Sequence, residues 1–192
     1  MKRWALLAGV LLLFSMAASA QDENPKAEVF GGYSLIYNNS TNFLGSSITF
    51  NGGEASMSYN PTSWLGLVGD FAGEHWSKGN ADANVFTYLF GPKLAYRTDK
   101  VTAFGEVGFG GAHLSGSRTC VSGVVGVHPE TVAIGCGSGS EDAFAMSAGG
   151  GLDYNLTKHI GIRPVQLDYV MTRFSSRTQN SLHYAAGIVF RW

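Results

Sequence analysis

The chain is poor in most of what would mark a common function. Its 192 residues hold 13 lysines and arginines against 14 aspartates and glutamates. No basic stripe exists for a nucleic-acid backbone to follow, so no nucleic-acid partner is expected. Only two cysteines occur, Cys120 and Cys136, too few for a disulfide scaffold and spaced unlike a zinc motif. Prolines number five. No apolar run approaches the roughly 20 residues that a membrane-spanning helix needs. Helices are disfavoured generally, because the chain carries 26 glycines and each costs about 1 kcal/mol inside a helix.

What is present begins with a short export pattern. Lys2 and Arg3 precede an apolar run from Trp4 to Met16, and Ala18, Ser19 and Ala20 follow it. This predicts a signal peptide over residues 1–20. Residue 21 is glutamine, not the cysteine of a lipid anchor. The expected mature chain, residues 21–192, is a single domain, and without Lys2 and Arg3 it is mildly acidic. Export without a spanning helix leaves a periplasmic, a secreted or an outer-membrane β-barrel protein. An exported location also suits a disulfide between Cys120 and Cys136 in their Gly/Ser/Val-rich stretch.

The rest of the chain alternates with period two, the signature of strands. Phe86, Tyr88, Phe90, Pro92, Leu94 and Tyr96 interleave with Thr87, Leu89, Gly91, Lys93, Ala95 and Arg97. Similar runs occur near residues 29–37, 55–59, 65–71, 103–109, 144–154 and 160–171, and a last one runs from Tyr184 to Trp192, making eight. The phase slips near Pro164, which predicts a β-bulge there. Tight polar turns are expected at Asn60–Ser63, Thr98–Lys100 and Asn155–Lys158. Longer connections are expected at roughly 38–51, 74–83, 114–142 and 173–181. Short turns at one end and long loops at the other describe an outer-membrane meander.

Alternation alone does not say which face meets water, but three features choose. The apolar face is uniform and carries aromatics near strand ends, among them Tyr37, Tyr59, Trp64, Tyr96 and Trp192, as in interfacial girdles. The other face mixes small residues with Glu28, Glu54, Asp70, Glu106, Asp153 and Asp168 and with Lys93, Arg97, Arg163 and Arg191, as in a narrow eight-stranded lumen. Finally, the sequence stops inside a strand pattern. A closed barrel has no edge, so its last strand can end there.

These features resemble the small OmpA/OmpX-like barrels of the outer membrane beta-barrel domain family, through strand count, loop alternation and the closing strand. The resemblance implies that Tyr184, Ile188, Phe190 and Trp192 form the carboxy-terminal signal read by the barrel-assembly machinery, with Trp192 in place of the usual phenylalanine. It implies contact with outer-membrane lipid and lipopolysaccharide, a monomer, and an outer-membrane location. OmpA's peptidoglycan-binding domain has no counterpart here, so that role is not expected.

Other motifs yield to simpler readings. Gly105–Gly111 lacks the lysine and helix of a phosphate loop. His75, His113, His128, His159 and His183 show no paired ligand spacing, although His75 and His113 fall near the outer rim. Ser181 and His183 point the same way, but no nearby acid completes a triad. No catalytic residue, metal or cofactor is expected.

The lumen charges offer a sharper expectation. Counting back from the turn at Thr98 sets Arg97 opposite Thr102 and Lys93 opposite Glu106; counting around Asn60–Ser63 sets Glu54 opposite Asp70. Lys93 would then bridge two facing acids, and Glu54, Asp70, Lys93 and Glu106 would plug the barrel. The expected protein is an all-β, eight-stranded up-and-down transmembrane barrel with a structural or surface role exerted through its loops. A narrow channel and a lipid-modifying enzyme are the alternatives.

Overall fold

The computed structural model describes residues 24–38, 48–78, 81–118, 138–174 and 177–192. The expected signal peptide, Cys120, Cys136 and His128 lie outside the described residues. Eight strands follow in chain order: β1 (Ala27–Asn38), β2 (Ile48–Tyr59), β3 (Leu65–Lys78), β4 (Ala81–Arg97), β5 (Val101–Arg118), β6 (Ser138–Asn155), β7 (Ile160–Phe174) and β8 (Arg177–Arg191). Each pairs antiparallel with its neighbour, and β1 pairs with β8, so the sheet closes into a barrel. Closure ends on the last residue: Trp192 N–H donates to Ala27 O at 2.9 Å and Ala27 N–H donates to Trp192 O at 3.0 Å.

The faces fall as the alternation predicts. Tyr33, Tyr59, Phe90, Leu94, Tyr96, Phe109 and Ile188 are exposed on the outside, where lipid covers them. Phe30, Ala95, Phe104, Ala112, Ala145, Ala185 and Val189 are buried inside. Tyr59, Trp64, Tyr96 and Tyr154 stand exposed at the tight-turn end, with Tyr37, Phe86 and Phe144 towards the other. The two groups bracket the apolar belt as interfacial girdles do.

Inward glycines let the sheet coil this tightly. A Cβ at Gly91 would stand 1.8 Å from Val107 O, whereas one at outward Gly31 would meet nothing within 4 Å. The slip near Pro164 is a true irregularity: the β7–β8 register shifts between Arg163 and Gln166. Proline has no N–H for the ladder, and the bulge keeps both Arg163 and Gln166 inside.

Two expectations need correction. The stretches 74–83 and 173–181 are mostly strand, since β3 runs to Lys78 before β4 starts at Ala81, and β7 runs to Phe174 before β8 starts at Arg177. In the first of these, His75 bonds Asn84 Oδ1 across the ladder at 2.8 Å. Strands of 14 to 18 residues exceed the roughly 9–11 that span a bilayer, so β3–β6 rise beyond it. Moreover, Glu54 does not face Asp70: Ser56 does, and Glu54 faces Ala72. The turn is wider than counted. Asn60 leaves the ladder to bond the N-terminal segment, N–H to Lys26 O at 2.8 Å and Nδ2 to Pro25 O at 3.0 Å. Gly66 admits it, for a Cβ there would lie 2.4 Å from Asn60 Oδ1.

Candidate functional site: the charged lumen

The lumen divides into two chemically different halves. The half nearer the tight turns is a continuous ion-pair network. Glu28 on β1 is its hub, receiving Lys93 Nζ at 3.0 Å, Arg97 Nη2 at 3.1 Å and Arg191 Nε at 3.3 Å. Arg191 Nη2 also reaches Asp153 at 2.6 Å, and Asp153 accepts Arg163 Nε at 2.7 Å. Arg163, 1% exposed, lies with its guanidinium 4.3 Å from the Phe30 ring centre and 4.2 Å from that of Phe104. Lys93 sits 4.4 Å from Phe104 as well. Arg163 Nη1 donates to Gln166 Oε1 at 2.7 Å, and Gln166 Nε2 donates to Glu106 at 3.1 Å and to Asp168 at 2.8 Å. Strands β1, β4, β5, β6, β7 and β8 are thus tied across the interior, and aromatic rings fill the space between the charges.

The other half is acidic. His183 faces Asp168 across the β7–β8 ladder. Its Nε2 lies 3.3 Å from Glu74 and 3.6 Å from Glu54, and its Nδ1 lies 3.8 Å from Asp168. Ser34 Oγ donates to Glu74 at 3.0 Å. The Glu54 carboxyl lies within hydrogen-bonding reach of that of Asp70, and among the described residues no other group donates to either Glu54 oxygen. A small cavity beside His183 is bounded by Asp70, Glu106, Asp168, Thr87 and Ser147 together with apolar side chains.

The four residues expected to form one cluster are therefore distributed differently. Lys93 does stand opposite Glu106 in the ladder, but its ammonium reaches over to Glu28 and Ser58. It makes no bond to Glu54 or Asp70, which meet on the acidic side. The flexible ammonium arm selects the better-placed carboxylate, which already gathers two guanidiniums. Glu28, Asp153, Arg163 and Arg191 were recognisable as inward by phase; Glu74, Gln166 and His183 gave no signal beyond alternation. Acids do surround His183, contrary to the expectation at Ser181 and His183, but they lie inside the lumen. His113, outward and exposed, bonds Asp142 at 2.7 Å. Among the described residues no group of three or more His, Cys, Asp or Glu side chains is placed to hold a metal ion. At the closing strand, Tyr184, Ile188, Phe190 and Trp192 share the outward face, and Phe190 stacks on Trp192 with centroids 6.5 Å apart.

A closed antiparallel barrel with an apolar outer belt, aromatic girdles and a charged interior is an integral outer-membrane protein. The chain belongs to the outer membrane protein beta-barrel domain family, whose model matches residues 6–186. No curated protein matches it in sequence. Its fold is similar to that of Ail, the attachment invasion locus protein of Yersinia pestis, with a TM-score of 0.60 over 88% of this chain and 99% of that one at 15% identity. Neisserial surface protein A gives 0.61 over 87% and 97% at 11% identity. OprG from Pseudomonas aeruginosa gives 0.55 over 88% and 98% at 11% identity. The protein resides in the outer membrane of a Gram-negative-type bacterium.

Proposed function

We propose that this barrel neither conducts nor catalyses, and that it works structurally and at the cell surface through its outer loops. The observation that carries this reading is the inner network. Glu28, Lys93, Asp153, Arg163 and Arg191 join opposite walls, and Phe30 and Phe104 close the gaps. Such a plug resists opening, because freeing one member strands a buried charge at a typical cost of about 3–5 kcal/mol. With the lumen closed, the surface offered to other molecules is the rim, where β3–β6 rise past the bilayer. Ail has been seen in complex with the heparin analogue sucrose octasulfate, and a polyanionic sugar is a reasonable first probe here. Lipopolysaccharide and outer-membrane lipid surround the belt of a monomer, and the closing strand engages the assembly machinery. Cells displaying the intact barrel should retain immobilised heparin or lipopolysaccharide better than cells whose barrel has residues 119–137 replaced by a short Gly/Ser turn. Equal retention across a panel of surface ligands would refute a role for that loop.

A further inference from the structure

Glu54 is 4% exposed, and the group within hydrogen-bonding reach of its carboxyl is a second carboxyl, that of Asp70. The two are not ladder partners, since Asp70 stands opposite Ser56 and Glu54 opposite Ala72. Their side chains meet diagonally, across the seam between β2 and β3. That seam is short: its ladder runs only from Asn51–His75 to Tyr59–Leu67, whereas the β3–β4 ladder runs from Leu65–Leu94 to Lys78–Ala81. A contact between these two side chains is therefore a large part of what joins β2 to β3 inside the lumen.

The permanent cations of the lumen are engaged elsewhere. Lys93, Arg97 and Arg191 gather on Glu28, while Arg163 and Arg191 hold Asp153. The charged groups facing the pair are mostly acids: Glu74 on β3, Glu106 on β5 and Asp168 on β7. At this level β1, β4 and β6 present the neutral Ser34, Thr87 and Ser147. The exception is His183 on β8. Its Nε2 lies 3.6 Å from Glu54 but 3.3 Å from Glu74, and its Nδ1 lies 3.8 Å from Asp168, so one imidazole is divided among three acids.

A hydrogen bond between two carboxyl groups needs a proton on one of them, because an ionised carboxylate can only accept. Two carboxylates in contact repel each other, and exclusion of water sharpens that repulsion. We infer that Glu54 and Asp70 hold one proton between them in the folded barrel at neutral pH, and that its loss in alkaline solution weakens the acidic half of the lumen across the β2–β3 seam. The carboxylic acid donates to the carboxylate, so one proton both supplies the missing donor and removes one charge. On deprotonation it passes to water, for which the small cavity beside Asp70 has room. In the unfolded chain both carboxyls meet water and are ionised above about pH 4. The folded barrel then binds one proton more than the unfolded chain. Its folding constant falls about tenfold per pH unit on that account, for as long as the pair keeps its proton. This proton site is independent of the surface role and stands or falls separately from it.

The test uses the full mature barrel refolded in a zwitterionic detergent. At neutral pH its infrared spectrum should show the carbonyl band of a protonated carboxylic acid, shifted in D2O. Glu54→Gln still offers Asp70 a donor but has no proton to lose, so the band should weaken in that variant. Urea unfolding over roughly pH 6 to pH 8 should show the folding constant of the unaltered barrel falling with pH more steeply than that of Glu54→Gln, by about tenfold per unit. Adding Asp70→Asn to Glu54→Gln should flatten the dependence no further, since the pair has one proton and not two. His183 and Glu106 are common to all three barrels and drop out of the comparison. Absence of the band from the unaltered barrel, an equal pH dependence in Glu54→Gln, or a second proton lost in the double variant overturns the inference. Where a variant fails to refold, the unaltered barrel still decides: band and stability should fall together as the pH rises, and a band that persists while stability falls counts against the shared proton.

Discussion

Lys93 Nζ donates to Glu28 Oε2 at 3.0 Å, joining β4 to β1 across the lumen. The two ends of this contact are not equivalent. Glu28 also holds Arg97 and Arg191, so it keeps two guanidiniums when Lys93 is lost. Removing the carboxylate instead leaves three cations facing one another. Lys93→Met, which retains packing against Phe104, should cost about 1.5–3 kcal/mol, the scale of a lost charged hydrogen bond. Glu28→Gln should cost about 3–5 kcal/mol, the scale of stranded buried charge. Urea unfolding of both variants in the same detergent checks the order, and equal losses would remove Glu28 from the centre of the network.

Backbone coiling predicts a second contrast, between two glycines. Gly91→Ala places a methyl group against Val107 O, where a Cβ would stand at 1.8 Å, while Gly31→Ala points into open space on the lipid face. Forced contacts of this kind cost about 1–3 kcal/mol. Gly91→Ala should lower the temperature at which the folded band disappears in unboiled gel samples, and Gly31→Ala should leave it unchanged. Similar behaviour of the two would show that the inner face has room to spare.

The closing strand separates folding from assembly. Two backbone hydrogen bonds pair Trp192 with Ala27, and they do not depend on the indole. Trp192→Ala should therefore refold into detergent with nearly normal yield yet reach the outer membrane poorly in cells, while deletion of Trp192 should impair both. Normal insertion of Trp192→Ala in cells would show that the assembly machinery does not need this aromatic.

Much of this architecture was readable from period two alone. Phe86 to Tyr96 fixed one strand and its faces, and the slip at Pro164 marked the bulge that keeps Arg163 and Gln166 inward. The β4–β5 register followed from a short turn, so Lys93 opposite Glu106 was countable. The β2–β3 register was not, because Asn60 bonds a segment 35 residues earlier, and nothing local to Asn60–Ser63 reveals that. Pairing inside the lumen was hidden for a related reason. Lysine and arginine side chains reach across an eight-stranded interior, so partners depend on barrel shear rather than ladder neighbours. Hence Glu28, 65 positions from Lys93, wins over Glu106.

Cys120 and Cys136 are predicted to be paired in intact cells, given an exported chain and an oxidising compartment. Maleimide labelling of whole cells should be weak before reduction and strong after it. Strong labelling without reductant would show free thiols and end that assignment.

The central claim is that the ion network closes an outer-membrane barrel, and conductance tests it most directly. The purified barrel, refolded and inserted into planar bilayers, should give a silent membrane under applied voltage, while Glu28→Gln, with the hub removed, should show brief openings. Steady, well-resolved channel steps from the unaltered protein, with Glu28→Gln no more conductive, would contradict the account.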